Sequence, residues 1–214
     1  HMDGVIFAGE VDIRVIEEFR KQSIPVVLVN NYLDMDGLVC ISADHYGGAV
    51  QATEYLCKLG HCKIGLLSGR FSPQVSEARI EGFVKTLAKY DIPVDDRFIA
   101  DIEPALEDGE EIMTRMLRGV DRPTAFFCTN DTIAAGAMKA VTRAGLRVPE
   151  DIAIIGFDDS YISRVVEPEL TTVRIDAAKM GCLAMQTLFD LIAGMPVEKA
   201  HIQIPTELIV RGTA

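Results

Sequence analysis

Polar side chains follow several short apolar runs of this sequence, at the points where buried strands would end. The groups that follow the runs are Asn30-Asn31, Ser68-Gly69-Arg70-Phe71, Thr129-Asn130-Asp131 and Gly156-Phe157-Asp158-Asp159. Carboxylates, amides and an arginine can together donate and accept many hydrogen bonds. Such a set suits a neutral ligand with several hydroxyl groups, such as a sugar.

Each of these residues also has an ordinary structural interpretation. Asp131 is expected to cap the helix that follows it rather than to contact a ligand, and Asn130 fits a turn as well as a ligand site. Arg79 lies within a predicted helix, where an arginine is usually a surface charge. The pair Asp158-Asp159 could form a solvated turn, but its position after an apolar run and an aromatic residue favours a site.

The elements that must hold these residues alternate along the chain. Short apolar runs predict strands buried on both faces at Val5–Ala8, Val26–Val29, Ile64–Leu67, Ala125–Cys128 and Ile152–Ile155. Helical patterns cover Asp12–Gln22, Tyr46–Leu59, Gln74–Lys89, Glu107–Arg118, Asp131–Ala144 and Ala177–Ala193. This alternation indicates an α/β fold with a parallel sheet, in which ligands bind at the carboxyl ends of the strands.

The composition excludes several classes of protein. The chain has 214 residues, 49% of them hydrophobic, which is enough to bury a core. Its formal net charge of -11 repels nucleic-acid phosphates, so we expect any DNA contact to lie outside these residues. The five cysteines form no C-x-x-C pair, which favours buried free thiols over disulfides or a zinc site. No run approaches the roughly 20 apolar residues of a membrane span, and no signal peptide is visible.

Signatures of catalysis are absent from the sequence. No G-x-G-x-x-G motif follows a predicted strand, and no G-x-x-x-x-G-K motif of a phosphate-binding loop occurs. The serine of Gly65-Leu66-Leu67-Ser68-Gly69 is not centred between glycines, as a nucleophile elbow requires. No Cys/His set has metal-ligand spacing. The residues therefore predict a binding protein that uses no cofactor or metal, and not an enzyme.

Several short motifs occur in a fixed order along the chain. They are Asp3-Gly4-Val5-Ile6, Asp44 with Gly47-Gly48-Ala49, Arg79 with Gly82-Phe83, Asn130-Asp131 with Gly136-Ala137-Met138, Gly145-Leu146-Arg147-Val148-Pro149, Gly156-Phe157-Asp158-Asp159, Leu170-Thr171-Thr172-Val173 and Pro205-Thr206-Glu207-Leu208-Ile209-Val210-Arg211. Each motif alone is weak, but their order and spacing together are specific. The chain resembles the effector-binding core of the LacI/GalR family of bacterial repressors, from Asp3 to its end.

The resemblance implies a two-lobed fold of the periplasmic-binding-protein-like (type I) class, with parallel sheets flanked by helices and an effector bound between the lobes. It assigns residues 3–42 and 177–195 to the first lobe, and 43–173 and 197–214 to the second. The chain would cross between the lobes near 41–43, 174–176 and 194–198.

The resemblance also implies that the first lobe is incomplete. Members of the family begin with a helix-turn-helix head and two further strand–helix units, so this chain would start at the third strand of that lobe. We expect the strand Val5–Ala8 to present an unpaired edge that seeks a partner strand.

Effector contacts follow from the resemblance residue by residue. Arg79 matches a helix arginine that hydrogen-bonds effector oxygens, and Asn130 matches the asparagine of an Asn-Asp pair. Asp158 matches the first acid of a Gly-aromatic-Asp-Asp turn. Asn30 stands where some members carry an acid that reaches the ligand, and Asp44 is expected near the cleft.

The sequence lacks the aromatic residue on which a sugar ring would stack in many members of the family. Many sugar-responsive members have an aromatic residue just before the helix that here begins at Glu107, where this chain has Glu103-Pro104 and no tryptophan anywhere. A stacking ring must then come from Phe71, Phe157 or Tyr161, or be absent.

The function implied is that of the effector-binding and dimerisation core of a cytoplasmic transcription regulator. A small molecule, a sugar or related metabolite, would shift the lobe arrangement and control operator DNA binding by the helix-turn-helix head. The chain would form a homodimer and would not contact a membrane. Ala134, Ala135 and Met138 on the helix Asp131–Ala144 are the candidate second-lobe dimer surface, and ordinary helix-to-sheet packing explains its small residues equally well.

Two alternatives stay open at this point. An extracytoplasmic sugar-binding protein of a transport system shares the two-lobed plan, but the Leu170–Val173 turn and the Pro205–Arg211 ending favour a regulator. An α/β enzyme acting on sugars could use Asp158 and Asp159 as acid and base, and turnover of a candidate sugar would support it.

Overall fold

The computed structural model describes residues 2–33, 35–119, 121–197 and 200–214. The chain forms two compact units. The first unit comprises His1–Asp44 and Asp176–Pro205, and the second comprises His45–Ile175 and Thr206–Ala214.

Strands and helices alternate along most of the chain. The strands are β1 (Val5–Ala8), β2 (Val26–Val29), β3 (Val39–Ala43), β4 (Ile64–Gly69), β5 (Ile99–Ile102), β6 (Ala125–Cys128), β7 (Ala153–Asp158), β8 (Thr171–Arg174), β9 (His201–Ile204) and β10 (Glu207–Ile209). The helices are α1 (Ile13–Lys21), α2 (His45–Lys58), α3 (Pro73–Lys89), α4 (Leu106–Met116), α5 (Asp131–Arg143) and α6 (Ala177–Ile192).

The first unit contains a four-stranded parallel sheet in the order β1-β2-β3-β9. Its small core joins Ile16 of α1 to Val26, Leu28 and Cys40 of β2 and β3. Among the described residues β1 pairs only with β2, and its side chains Val5–Phe7 are half-buried. The strand Val5–Ala8 is therefore an edge of this sheet, as predicted.

The second unit contains a six-stranded sheet in the order β10-β8-β7-β6-β4-β5, in which only the pairing of β10 with β8 is antiparallel. Successive side chains of a strand point to opposite faces, so Phe126 and Phe127 enter different cores. One core takes residues of α4 and α5, and the other takes residues of α2 and α3. The sheet is thus covered on both faces, which explains the continuous apolar runs of its central strands.

The predicted helices all form, with ends that differ by one or two residues. Gly60, Gly145 and Gly194 adopt positive φ angles of 90°, 74° and 71° just after three of these helices. Glycine populates this left-handed region without a steric penalty, so these glycines end the helices as expected.

Three strands of the second unit, β5, β8 and β10, are not among those predicted from apolar runs. The segment Leu170–Val173, expected as a turn, is mostly the parallel strand β8, and β5 was not expected at all. β5 lies at the sheet edge and contains the exposed Asp101, so it lacks the continuous apolar run of a central strand.

The predicted assignment of residues 197–214 to the second lobe is wrong for part of that segment. β9 pairs in parallel with β3, from Cys40 opposite His201 to Ala43 opposite Ile204, and so belongs to the first unit. The chain passes to the second unit between Pro205 and Thr206. The predicted third crossing includes Glu198, which lies outside the described residues.

The small residues of α5 do not form a surface. Ala134, Ala135 and Met138 are at most 5% exposed, and Ala134 and Met138 belong to a core cluster. A Cβ atom on Gly136 would lie 2.1 Å from the carbonyl oxygen of Leu106, because α4 packs closely against α5 there. The candidate dimer surface on these residues is therefore wrong, and close helix packing explains them.

The described part of the chain holds no helix that is both long and apolar enough to cross a membrane. All five cysteines are free thiols, but the expectation that they are buried holds only for Cys40, Cys57 and Cys128. Cys62 and Cys182 are exposed.

Candidate functional site

The carboxyl ends of β4, β6 and β7 lie side by side in the second unit, because these neighbouring strands are parallel. Phe71 follows β4, Asn130 follows β6, and Asp158 ends β7. Arg79 reaches the same edge from α3. The structure thus brings these four predicted residues together.

Arg79 links the residues of this group through its guanidinium group, and only 3% of its surface is exposed. One guanidinium nitrogen, Nη1, donates to the backbone carbonyl of Thr129. The other, Nη2, lies 3.2 Å from Oδ1 of Asp158 and 3.2 Å from Nδ1 of His45. The arginine therefore connects the ends of β6 and β7 to the start of α2.

Two aromatic rings lie against the same guanidinium group. Its Cζ atom is 3.9 Å from the ring centre of Phe157 and 4.9 Å from that of Phe71. Aromatic faces attract cations, and the attraction strengthens away from water. Phe157 is completely buried among core side chains, so it offers no ring face to a ligand and its proposed role as a stacking platform is wrong. Phe71 is half-buried, and Tyr161 is 84% exposed.

Asp158 is held from both sides of its carboxylate. Arg79 bonds Oδ1, and Nδ2 of Asn130 donates to Oδ2 at 2.9 Å. The Asp158 side chain keeps 29% exposure, and its backbone φ of 106° is unusual for a residue with a side chain. Burial raises the pKa of Asp158, and the charge of Arg79 together with the bond from Asn130 opposes that rise.

Asn130 also caps the helix that follows it. Its Oδ1 accepts from the backbone N–H groups of Thr132 at 2.8 Å and Ile133 at 3.3 Å. The expectation that Asp131 would be the N-cap is therefore wrong by one residue. The side chain of Asn130 uses its oxygen for the helix and its nitrogen for Asp158.

Asp131 has a different, fully buried environment. Its Oδ2 accepts from the backbone N–H of Ser160 at 2.7 Å, and its Oδ1 accepts from the hydroxyl of Thr172. Burial raises the pKa of Asp131 to about 6, despite these hydrogen bonds. Asp131 thus ties α5 to β8 and to the loop after β7, and it is not open to a ligand.

Asp159 is enclosed by arginines. Its side chain is 2% exposed and accepts from Nη2 of Arg211 at 2.5 Å, from Nε of Arg174 at 2.8 Å and from the hydroxyl of Ser163 at 3.1 Å. Desolvation opposes ionisation here, but the bonds from Arg211 and Arg174 outweigh it and lower the pKa of Asp159 to about 2. Asp159 therefore fastens the end of the chain to the sheet.

His45 belongs to the site but was missed from the sequence. It is 4% exposed, and burial followed by the charge of Arg79 lowers its pKa to about 3. The ring is therefore neutral near pH 7, and Nδ1 accepts the hydrogen bond from Arg79. The only sequence signal was its place directly after Asp44, at the start of the first helix of the second unit.

The first unit holds the two remaining predicted residues at its own strand ends. Asn30 follows β2 with a positive φ of 50°, and its Oδ1 accepts from the backbone N–H of Ala43 at 3.4 Å. Asp44 follows β3, and its backbone N–H donates to the carbonyl of Ile204. Both side chains are half-buried at the carboxyl edge of the first sheet.

Comparison with known proteins identifies the fold. Residues 53–214 match the periplasmic binding protein-like domain. The chain is 35% identical over 211 residues to the probable transcriptional repressor ExuR of Bacillus subtilis, covering 98% of this chain and 63% of that protein. It therefore spans less than two thirds of that repressor's length.

Solved structures give the same result. A regulatory protein of the LacI family from Chloroflexus aggregans has a TM-score of 0.90 and 31% identity, over 99% of this chain and 76% of that one. The transcriptional regulator CelR in complex with cellobiose has a TM-score of 0.89 and 26% identity, over 100% of this chain and 66% of that one. The predicted periplasmic-binding-protein-like fold is confirmed. This chain belongs to the LacI family of transcription regulators.

Proposed function

We propose that this chain binds a small effector rich in hydroxyl groups, such as a sugar, at the carboxyl edge of β4, β6 and β7. The observation that carries the proposal is the Asp158 carboxylate, which is oriented by Arg79 and Asn130 yet remains partly exposed. An oriented acceptor of this kind suits a ligand hydroxyl, because each carboxylate oxygen can accept more than one hydrogen bond.

The relative CelR, whose structure holds cellobiose, supports a sugar as the class of effector. Phe71 and the exposed Tyr161 are the remaining candidates for a ring that stacks on it. Asn30 and Asp44 are proposed, from the sequence resemblance, as ligand-binding residues of the first unit, since both are polar and follow neighbouring strands.

Binding without catalysis is the better interpretation of the two adjacent acids. A sugar-cleaving pair needs two carboxyl groups that both reach the substrate. Asp159 is 2% exposed and engaged by Arg211 and Arg174, so it is not available as the second group.

We further propose that the effector controls DNA binding by a population shift between conformations. The net charge of -11 repels DNA phosphates, so a helix-turn-helix head outside these residues would bind the DNA. Cytoplasmic location and a homodimer are part of the same proposal, with a dimer surface other than the buried small residues of α5.

The proposal is tested by measuring the melting temperature in the presence of sugars, cellobiose among them. A ligand at 100 times its Kd stabilises the folded state by about 2.7 kcal/mol. We expect at least one sugar to raise the melting temperature, and Asp158→Ala to abolish the rise. Asp101→Ala is the matched control. Asp101 is an exposed acid near the carboxyl end of β5 in the same sheet, and its carboxylate pairs with Arg70. A sugar that stabilises both variants equally would remove Asp158 from the site.

A further inference from the structure

Two of the five cysteines lie at the two ends of one short loop in the second unit. Cys57 is in the last turn of α2, and Cys62 lies two residues before β4 begins. Cys57 is almost completely buried, whereas Cys62 is exposed. The loop leads to the start of β4, so it is at the opposite end of that strand from the proposed effector edge.

The backbone folds back on itself where α2 ends. The N–H of Gly60, which has a φ of 90°, donates to the carbonyl of Cys57 at 3.0 Å. The N–H of His61 donates to the carbonyl of Leu56 at 3.3 Å. These two bonds form the Schellman pattern of a helix end. His61 and Leu56 are the chain neighbours of the two cysteines, so their bond holds Cys57 and Cys62 in the same small region.

The side chains of the two cysteines also share their surroundings. The Sγ atom of Cys62 lies 3.5 Å from the carbonyl oxygen of Gly60. Cys57 belongs to the core cluster that contains Ile64, the first residue of β4. Burial raises the pKa of the Cys57 thiol, and the nearby Glu54 and Cys62 raise it further. A charge on one thiol is thus felt by the other, as expected for neighbouring sulfur atoms.

We propose that Cys57 and Cys62 form a modification site, at which a small disulfide such as glutathione disulfide is exchanged for a bond between the two cysteines. In the first step the thiolate of Cys62 attacks one sulfur of the small disulfide, forms a mixed disulfide and releases one small thiolate. In the second step the sulfur of Cys57 attacks the sulfur of Cys62, gives up its proton to solvent and releases the second small thiolate. Two cysteine thiols are oxidised, and one small disulfide is reduced to two thiols.

The difference in burial sets the order of these two steps. A bulky disulfide can reach the exposed Cys62, whereas Cys57 is covered and its raised pKa disfavours the reactive thiolate. Cys62 is therefore the attacking thiol, and Cys57 is the thiol that resolves the mixed disulfide. The ring that closes is short, so its effect on the stability of the fold is small and the bond itself is the quantity to measure.

Cys182 provides a control within the same chain. It is also exposed, and it lies on α6 of the first unit. The other cysteine of that unit, Cys40, is buried in the core cluster that contains Ile16 of α1. A mixed disulfide formed at Cys182 therefore has no accessible second thiol in its own unit to resolve it.

The test incubates the 214-residue chain with glutathione disulfide at neutral pH, blocks the remaining thiols and maps the cysteine peptides by mass spectrometry. Trypsin cleaves after Lys58, between the two cysteines, so a Cys57–Cys62 bond joins two separate peptides. We expect this bond, and at least about tenfold less glutathione adduct at Cys62 than at Cys182, because a neighbouring thiol acts at a high effective concentration. Equal adduct at Cys62 and Cys182, with Cys57 still a free thiol, would overturn the inference.

The variant Cys57→Ala traps the first step. Without the resolving thiol, the glutathione adduct at Cys62 should rise to the level found at Cys182. Cys40→Ala is the matched control, since it removes another buried thiol and should leave the Cys57–Cys62 bond intact. An adduct at Cys62 that stays as low in Cys57→Ala as in the wild type would contradict the inference. If Cys57→Ala does not fold, Cys57→Ser replaces it, and the wild-type comparison of Cys62 with Cys182 decides the question by itself.

Discussion

Asp158 and Asp159 are neighbours in the sequence, but they occupy opposite kinds of environment. The Asp158 side chain is 29% exposed, and one arginine and one amide hold it. The Asp159 side chain is 2% exposed, and Arg211, Arg174 and Ser163 enclose it. Burial raises the pKa of Asp158, whereas the arginine bonds lower that of Asp159 to about 2.

The difference shows that two successive acids after one strand can differ widely in exposure and in the number of donors that they meet. Asp159 accepts hydrogen bonds from several donors, among them Arg211 at 2.5 Å and Arg174 at 2.8 Å. These ion pairs link the end of β7 to β8 and to the end of the chain. Asp158 retains unsatisfied acceptor capacity where part of its surface is open. Substitutions at the acids of this edge should therefore separate stability from ligand binding.

The largest effect is expected for Asp159→Asn. The change leaves Arg211, whose side chain is only 12% exposed, with the more distant carboxylate of Glu169, 3.6 Å away and largely exposed, in place of the buried Asp159. Breaking a buried ion pair by removing one partner costs about 3–5 kcal/mol. Chemical denaturation near neutral pH measures this loss in the free energy of unfolding. A loss no larger than that of a typical surface substitution would contradict the enclosed role.

The lowered pKa of Asp159 predicts how the stability of the fold depends on pH. A pKa lowered from 3.8 to about 2 means that Asp159 stabilises the fold above pH 3.8, and that this contribution is lost as the pH falls through 2. Wild-type stability should fall over this interval, and Asp159→Asn should remove that part of the decline. An identical decline in both proteins would show that Asp159 does not cause it.

Asp131→Asn should have an intermediate effect with the opposite sign. A pKa raised from 3.8 to about 6 means that the contribution of Asp131 to stability is present below pH 3.8 and is lost as the pH rises through 6. An asparagine has no charge to desolvate, so the variant should unfold less readily than wild type at about pH 8, by at most about 3 kcal/mol. Thermal melts at several pH values measure this. A variant less stable than wild type at high pH would refute the prediction.

The smallest effect on stability is expected for Asp158→Asn. Its side chain is partly exposed, and an amide oxygen can still accept from Arg79, so the free energy of unfolding should fall by about 1–2 kcal/mol. The stabilisation by a sugar should nevertheless be reduced sharply, because the charged acceptor is lost. Asp101→Asn at the exposed edge serves as the control for both measurements. Unimpaired binding by Asp158→Asn would place the effector elsewhere.

The sequence predicted the periodic parts of this molecule well. Apolar runs indicate central strands such as β6, and amphipathic patterns indicate the helices. Glycines mark the ends of three of these helices. Edge elements were harder, since β5 has only four residues and only one of them is fully buried. The pairing of β9 with β3 joins segments about 160 residues apart, and no local pattern reports it.

Sequence reasoning named most residues of this polar cluster, but not the contacts that join them. Residue types after strands suggested Asn130 and Asp158, and the structure places them 2.9 Å apart. Burial is a tertiary property, so the enclosure of Arg79 and of Phe157 could not be foreseen from their positions in the chain. His45 was missed because a single histidine at a helix start carries no spacing signal.

The side chain of Asn130 makes three hydrogen bonds, two with the start of α5 and one with Asp158, and these limit which residues this position can accept. Serine, threonine and aspartate are also favoured at the start of a helix, but none offers an amide N–H to a neighbouring carboxylate. Aspartate here would place a second negative charge against Asp158, and serine would be too short to reach both partners. Any rearrangement of Asp158 is thereby coupled to the first turn of α5. A ligand that moves Asp158 would also disturb Asn130, the residue that caps this helix.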